Sequence, residues 1–422
     1  MAEKKADEFA TKKPRKVSSR VFRTEIGKSG LKWSQYGYIS QDFLPQLTGS
    51  RGIKIYQEMV DNDAVIGGCL YGIRQILREA RWSVKPADPN KKLEDDEDAQ
   101  FLEENMRGMT HSWADFISEA MSMFTFGWAW FEQVYRIRED GKAVWKKLPI
   151  RAQQALDRWE MLPNGETIGM WQRPAPDYQL LYIPLGKSIH LRTTSQNNNP
   201  EGRSLMRNAY RGWYYKKGLE EVEAIGIERD LVGIPTITLP EGMKMEDDEG
   251  ENAIAINWAK KILQNIRVDE QDGILLPNGW EFKLVSSPGT KTIDVSAVIS
   301  RYAKEIAISV LAQFVMLGME RTGSYALATE LVDMFYMSLE GFADYIATTF
   351  NRQAVSTLFG LNGVHDRPLP YIVHTPIRRQ AIKDMALYIK NLGGANALDI
   401  DEDLKAYLKR YARLNEYSDA RS

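Results

Sequence analysis

Cysteine is almost missing from this chain, which has one, Cys69, in 422 residues. A single thiol cannot close a disulfide within the chain or build a thiolate zinc site. In the apolar run Gly67-Gly68-Cys69-Leu70 it reads as a buried structural residue. Histidine is scarce too: His111, His190, His365 and His374 lie beyond helical reach of one another. No HExxH pair occurs, so each reads as a core or surface residue rather than a metal ligand. No 18 apolar residues run together, which leaves no candidate membrane span. No apolar stretch follows the basic start of the chain, so a secretory leader is not expected and a reducing compartment is. Neither charge sign dominates: 55 Lys and Arg stand against 57 Asp and Glu, a formal net charge of -2. Contact with nucleic acid would therefore have to come from local patches.

Catalytic motifs are also missing. Neither GxGxxG nor GxSxG occurs. Gly-Lys-Ser occurs twice, at Gly27-Lys28-Ser29 and Gly186-Lys187-Ser188. The glycine that a phosphate-wrapping loop needs five residues upstream is Phe22 in one case and Leu181 in the other. The acidic runs EDDEDA and EDDEGE place like charges side by side, where they repel and stay hydrated. Residue by residue the sequence offers no catalytic group, metal site or cofactor site. A metal-dependent nuclease built on those acids is the weaker alternative to a structural protein.

What is present is a set of long helical patterns. Between Asn198 and Pro240, Leu205, Ala209, Trp213, Val222, Ile225 and Leu231 recur at helical spacings. Gly233 and Pro235 close the pattern. Roughly 30 residues of helix would span about 45 Å. Gly212, Gly218 and Gly226 lie inside it, each costing about 1 kcal/mol against alanine, so close approach of another helix or a bend is expected.

Residues 1–25 are rich in Lys, Arg and Ser and read as a disordered basic arm. One helix is expected over 53–77, followed by a short strand at Trp82–Lys85 and helices over 97–107 and 111–126. Alternation then predicts a hairpin of WAWFEQVYRI with AVWKKLPI, and a second of ALDRWEML with TIGMWQR, with QLLYIP and SIHLR after them. Most tryptophans fall in these strands, which points to a broad core. Residues 235–291 read as a small α/β insert, with a hairpin of GILLP and WEFKLVSS around Asn278-Gly279. Asp294 is a suitable N-cap for a helix striped by Val295, Val298, Ile299, Tyr302, Ile306 and Val310. The polar link Gly318–Ser324 leads to a helix over 325–358, and a helical hairpin closes the chain. No repeat is found.

This order of parts resembles the portal protein family of tailed bacteriophages, the head-to-tail connectors. The most specific stretch is PEGRSLMRNAYRGWYYKK followed by ERDLVGIPTITLP, which is similar to the pattern P-x-G-x-S-x-L-R-x-A, then W and K, then E-R and G-x-P. YQEMVDNDAVIGGCLYGIRQIL, ARWSVKP and FGWAWFEQVY support it. The resemblance covers about residues 50–390.

It implies an α+β portal fold assembled as a ring, typically of twelve subunits. An α/β wing would occupy 26–202 and a first stem helix 203–233. A clip would occupy 234–292, a second stem helix 293–317 and a tunnel loop 318–324. A long kinked helix returning to the wing would occupy 325–375 and crown helices 376–422. The implied role is a conduit at the capsid vertex for double-stranded DNA, packaged and ejected without sequence preference. It would dock the large terminase subunit and head-completion or adaptor proteins, beside major capsid and scaffolding proteins, in the virion and in host cytoplasm during assembly. The implied tunnel loop is Met319, Glu320, Arg321, Thr322, Gly323 and Ser324. Lys216, Lys217, Arg301 and Lys304 are candidates for the tunnel wall. Glu246, Asp247, Asp248, Glu249 and Glu251 are a candidate docking surface on the clip, and Gly212, Gly218 and Gly226 are candidates for stem packing. A minor capsid or neck adaptor protein, binding a ring without forming one, is the other open reading.

Overall fold

The structure, a computed structural model, describes residues 25–232, 234–240, 243, 250–265, 276, 278–285, 294–310 and 325–377. In chain order the helices are α1 (Gly49–Asn62), α2 (Ala64–Glu79), α3 (Glu97–Arg107), α4 (Trp113–Ala120), α5 (Ser122–Phe126), α6 (Met206–Val232), α7 (Gly250–Asn265), α8 (Val295–Ser309), α9 (Tyr325–Phe350) and α10 (Ser356–Leu361). A π-helical turn, Asn351–Val355, joins the last two. The strands are β1 (Trp82–Lys85), β2 (Trp128–Glu132), β3 (Val134–Ile137), β4 (Ala143–Lys147), β5 (Ile150–Arg151), β6 (Leu156–Met161), β7 (Thr167–Gln172), β8 (Leu181–Pro184), β9 (Ser188–Arg192), β10 (Ile234–Thr238), β11 (Glu281–Val285) and β12 (Tyr371–His374). Two compact units result, one of Met1–Arg207 with Leu317–Ser422, the other of Asn208–Met316.

In the first unit the sheets are small and antiparallel, ordered β5-β2-β9, β6-β7-β8, β3-β4 and β1-β12. Trp128, Trp130 and Trp159 form one aromatic core with Met170 and Ile183. Phe116, Phe131, Trp145 and Phe350 form another, with ring centroids 4.6–5.4 Å apart. The tryptophan-rich strands therefore do build a core, and Cys69 is buried.

Three sequence expectations change here. The helix over 53–77 is two helices, because the Asp63 carboxylate caps α2 by accepting from the Val65 and Ile66 amides, 3.0 Å each. The helix over 111–126 is also divided, into α4 and α5, and stops at Gly127 in the left-handed region (φ 92°). The strand read through 128–137 divides at Gln133. Its first half pairs with β9 and β5, and only the second half makes the hairpin with β4.

In the second unit β10 and β11 pair antiparallel, from Ile234 opposite Val285 to Thr238 opposite Glu281. WEFKLV thus pairs with the strand that follows α6; GILLP, apart from Leu276, lies outside the described residues. Trp258 of α7 meets Trp280 edge-on, and Ile256 and Ala259 are buried. Asp294 caps α8 as its position predicts, accepting from the Ala297 amide at 2.9 Å.

Candidate functional site

The Pro200–Ser204 segment, the most specific part of the sequence pattern, sits where two backbones touch. Gly127 and Gly202 both have positive φ, and a Cβ on either would come within 2.3 Å of a carbonyl oxygen, that of Glu201 or Gly127 respectively. Only glycine fits such a crossing. The Thr193 amide donates to the Gly127 carbonyl at 2.9 Å, and the Thr193 hydroxyl to the Arg203 carbonyl. One hydroxyl, Ser204 Oγ, then ties α6 to α5: it donates to the Thr125 carbonyl and accepts from the Met206 amide at 3.0 Å. Arg207, in the first turn of α6, makes a two-point ion pair with Asp42. Burial works against the Asp42 charge, but the Arg207 hydrogen bond and positive charge outweigh it and hold the carboxyl below the usual range.

Beneath this loop lie two buried titratable groups. His190 is held between Trp130 and Trp159, with ring centroids at 4.8 and 5.5 Å, and its Nε2 is 2.8 Å from the Pro200 carbonyl. That contact requires Nε2–H as the donor. Burial, with the nearby Arg192 charge, lowers its pKa to about 3, so the ring stays neutral. Glu201 accepts one hydrogen bond from Trp159 Nε1 at 3.1 Å. Burial raises its pKa to about 7, and the indole donor only partly opposes that. These residues fix how α6 leaves the sheet. The sequence offered the glycines and the Asn-Asn-Pro-Glu-Gly turn as signals, but nothing local announced Asp42, Gly127 or Thr193 as their partners.

The expected site residues fall as follows. On α6, Met206, Ala209, Gly212, Trp213 and Lys216 are buried, a run at 3- and 4-residue steps. Lys216 pairs with Glu220 at 2.9 Å. Lys217 is exposed, with its ammonium 5.6 Å from the Trp213 ring centroid. Arg301, over the Tyr302 ring, and Lys304 are exposed on α8, one turn apart. Gly212 does mark a close helix approach: a Cβ there would lie 3.2 Å from Ile306 of α8, and Tyr215 stacks on Tyr302 nearby. Gly218 has open space around it, as does Gly226. Tyr214, Val222 and Ile225 on the same helix are exposed, at 59, 59 and 49 %. The Met319–Ser324 loop, Glu246–Glu249, the side chain of Glu251 and the helices expected from residue 378 onward lie outside the described residues. Among the described residues no group of His, Cys, Asp and Glu is placed to hold a metal ion.

Solved structures with this fold come from particle necks. A chain in the virion of a native gene transfer agent particle superposes with a TM-score of 0.53 at 12 % identity, covering 84 % of this chain and 92 % of that one. A chain from the neck of an empty gene transfer agent particle, computed with C6 symmetry, gives 0.54 at 12 %, covering 84 and 93 %. One from the native particle's neck, computed with C12 symmetry, gives 0.51 at 11 %, covering 90 and 96 %. At such identities the likeness is one of fold, and the fold is that of these neck components. The family model of the portal protein of Mu bacteriophage matches residues 53–411, and the chain belongs to that portal family.

Proposed function

We propose that this protein forms the ring-shaped channel at the capsid vertex through which double-stranded DNA is packaged and ejected. It also serves as the platform on which the packaging motor and the neck proteins dock. The observation that carries the ring is the open stripe on α6. Tyr214, Gly218, Val222 and Ile225 follow one another at steps of four, four and three residues, so they share one face of the helix. Three of them are large, apolar and exposed, and the fourth is a glycine with room beside it. A single chain leaves that surface in water, and a neighbouring copy supplies what covers it. Membership of the portal family and the C6 and C12 symmetry of the similar neck structures support the same reading.

In this reading α6 and α8 are the stem helices, β10, α7 and β11 belong to the clip, and residues 318–324 form the constriction. Catalysis has no part in it; the channel works by holding DNA weakly, since each phosphate neutralised adds affinity through counterion release. The test is to image the purified full chain and weigh it in solution. Rings with a central opening, at a mass of many subunits, are expected. The paired substitution Val222→Glu with Ile225→Glu should release monomers that keep their fold. A protein that stays monomeric under assembly conditions, yet binds a separately made ring, is an adaptor instead.

A further inference from the structure

A cavity of about 310 Å³ lies within the first unit, bounded by the Ile39–Thr48 segment, α1, the end of α5 and the Gln196–Arg207 loop. That is at the low end for ligand pockets and far above the roughly 30 Å³ one water takes up. Ile39, Leu47 and Phe126 give it apolar walls, and Phe43, 82 % exposed, adds an apolar lip. Its polar lining includes two groups left over from the packing just described. Tyr56, only 7 % exposed, brings a phenol with no hydrogen-bond partner among the described residues. Glu201 uses one carboxyl oxygen to accept from Trp159 and leaves the other for the cavity. The Asp42, Arg207 and Glu201 charges all act on the Tyr56 hydroxyl, so these groups are near neighbours.

Orphaned buried hydroxyls are costly, and two of them beside one cavity call for an acceptor. We propose that this cavity is a binding site for the uncharged backbone amide of a peptide segment with a small aliphatic side chain. The Tyr56 and Glu201 hydroxyls donate to its carbonyl, and the apolar walls take the side chain. Charge selects against other classes of ligand. Asp42 and Arg207 neutralise each other in their two-point pair, so an isolated ionic group entering here would be desolvated without compensation. An amide loses little. A carboxyl group donates only while it keeps its proton, and burial lets Glu201 keep it up to about pH 7. The inference is independent of the ring, since every residue it uses lies in one unit of one chain.

The test is a titration of the full-length protein with N-acetylleucine N-methylamide, followed by ligand-observed NMR. Saturable binding at pH 6 is expected. Tyr56→Phe should weaken it roughly fivefold, the loss of one hydrogen bond. Affinity of the unsubstituted protein should fall as pH rises through about 7, whereas Glu201→Gln, which retains a neutral donor, should bind without that dependence. Absence of saturable binding, meaning a cavity that holds water only, overturns the proposal. So does binding that neither Tyr56→Phe nor pH alters. Size-separated fractions then identify the source of the segment. Binding confined to unassembled chains assigns it to a neighbouring copy, already seated in the assembled fraction. Equal binding by both fractions assigns it to another protein.

Discussion

Two buried residues that hold the Pro200–Ser204 loop in place carry opposite pH signatures. Glu201 has a folded pKa of about 7 against an ordinary value of 4.5, so the stability it contributes is full below pH 4.5 and lost as pH rises through about 7. His190 has a folded pKa of about 3 against 6.5, so its contribution is present above pH 6.5 and lost as pH falls through about 3. Between pH 4.5 and 6.5 the two trends oppose each other, and the protein should show little net change. Replacing Glu201 with Gln removes one trend and keeps an acceptor for Trp159. The urea midpoint of that variant should rise with pH from about 4.5 to 6.5 and then level off. Its stability relative to the unsubstituted protein should climb by on the order of 3 kcal/mol between pH 4.5 and 7, at about 1.4 kcal/mol per pKa unit. Parallel curves for the two proteins would show that Glu201 does not titrate as its burial requires.

Among the elements, the junction of α9 and α10 has the most defined role. The π-helical turn carries one residue more than an α-helical turn would, which turns Asn351 and Gln353 toward different sheets. Asn351 grips the backbone of β12 twice, donating to the Ile372 carbonyl and accepting from its amide, both at 2.9 Å. Gln353 accepts from the His190 amide at 2.7 Å on the outer edge of β9, and its own carbonyl accepts from Gln133. Substituting Asn351 with Ala strips both partners from the fully buried Ile372, at a cost of roughly 2–4 kcal/mol. Hydrogen exchange at the Ile372 amide should accelerate by orders of magnitude while the β6-β7 amides hold; unchanged protection would mean the clamp is dispensable. None of this was readable from the sequence. The stripe Phe335, Leu339, Phe342, Ile346, Phe350 announces a long helix because period 3.6 is a local property. A π turn breaks that period by one residue, which a stripe of five anchors absorbs. The same logic explains the strands. The hairpin of β6 and β7 turns at Pro163-Asn164-Gly165 and was legible, but β2 and β9 pair across some sixty residues and share no turn. At the Pro-Glu-Gly loop the pattern was visible, yet its purpose depends on Gly127 and Asp42, brought to it only by folding.

For the whole molecule the open question is which surface meets DNA, and near-neutral net charge makes it answerable. With 55 basic and 57 acidic residues, the protein has no background field that would mask a few positive side chains. Arg301 and Lys304 stand exposed one turn apart on α8, whereas Lys216 is buried against water and tied to Glu220. If the α8 face lines the channel, every subunit of a ring presents both charges to the duplex, and each engaged phosphate adds about 0.9 to the slope of log affinity against log salt. Rings carrying Arg301→Glu with Lys304→Glu should assemble normally, retain DNA less well and show a shallower salt slope. The pair Glu320→Gln with Arg321→Gln, in the expected constriction, should change packaging or retention without touching assembly. A salt slope identical to that of the unsubstituted ring would turn the α8 face away from DNA and move the wall to other residues. Lys217, exposed on α6 beside Trp213, would then be the next to replace, because a stem of two helices has only those two to offer.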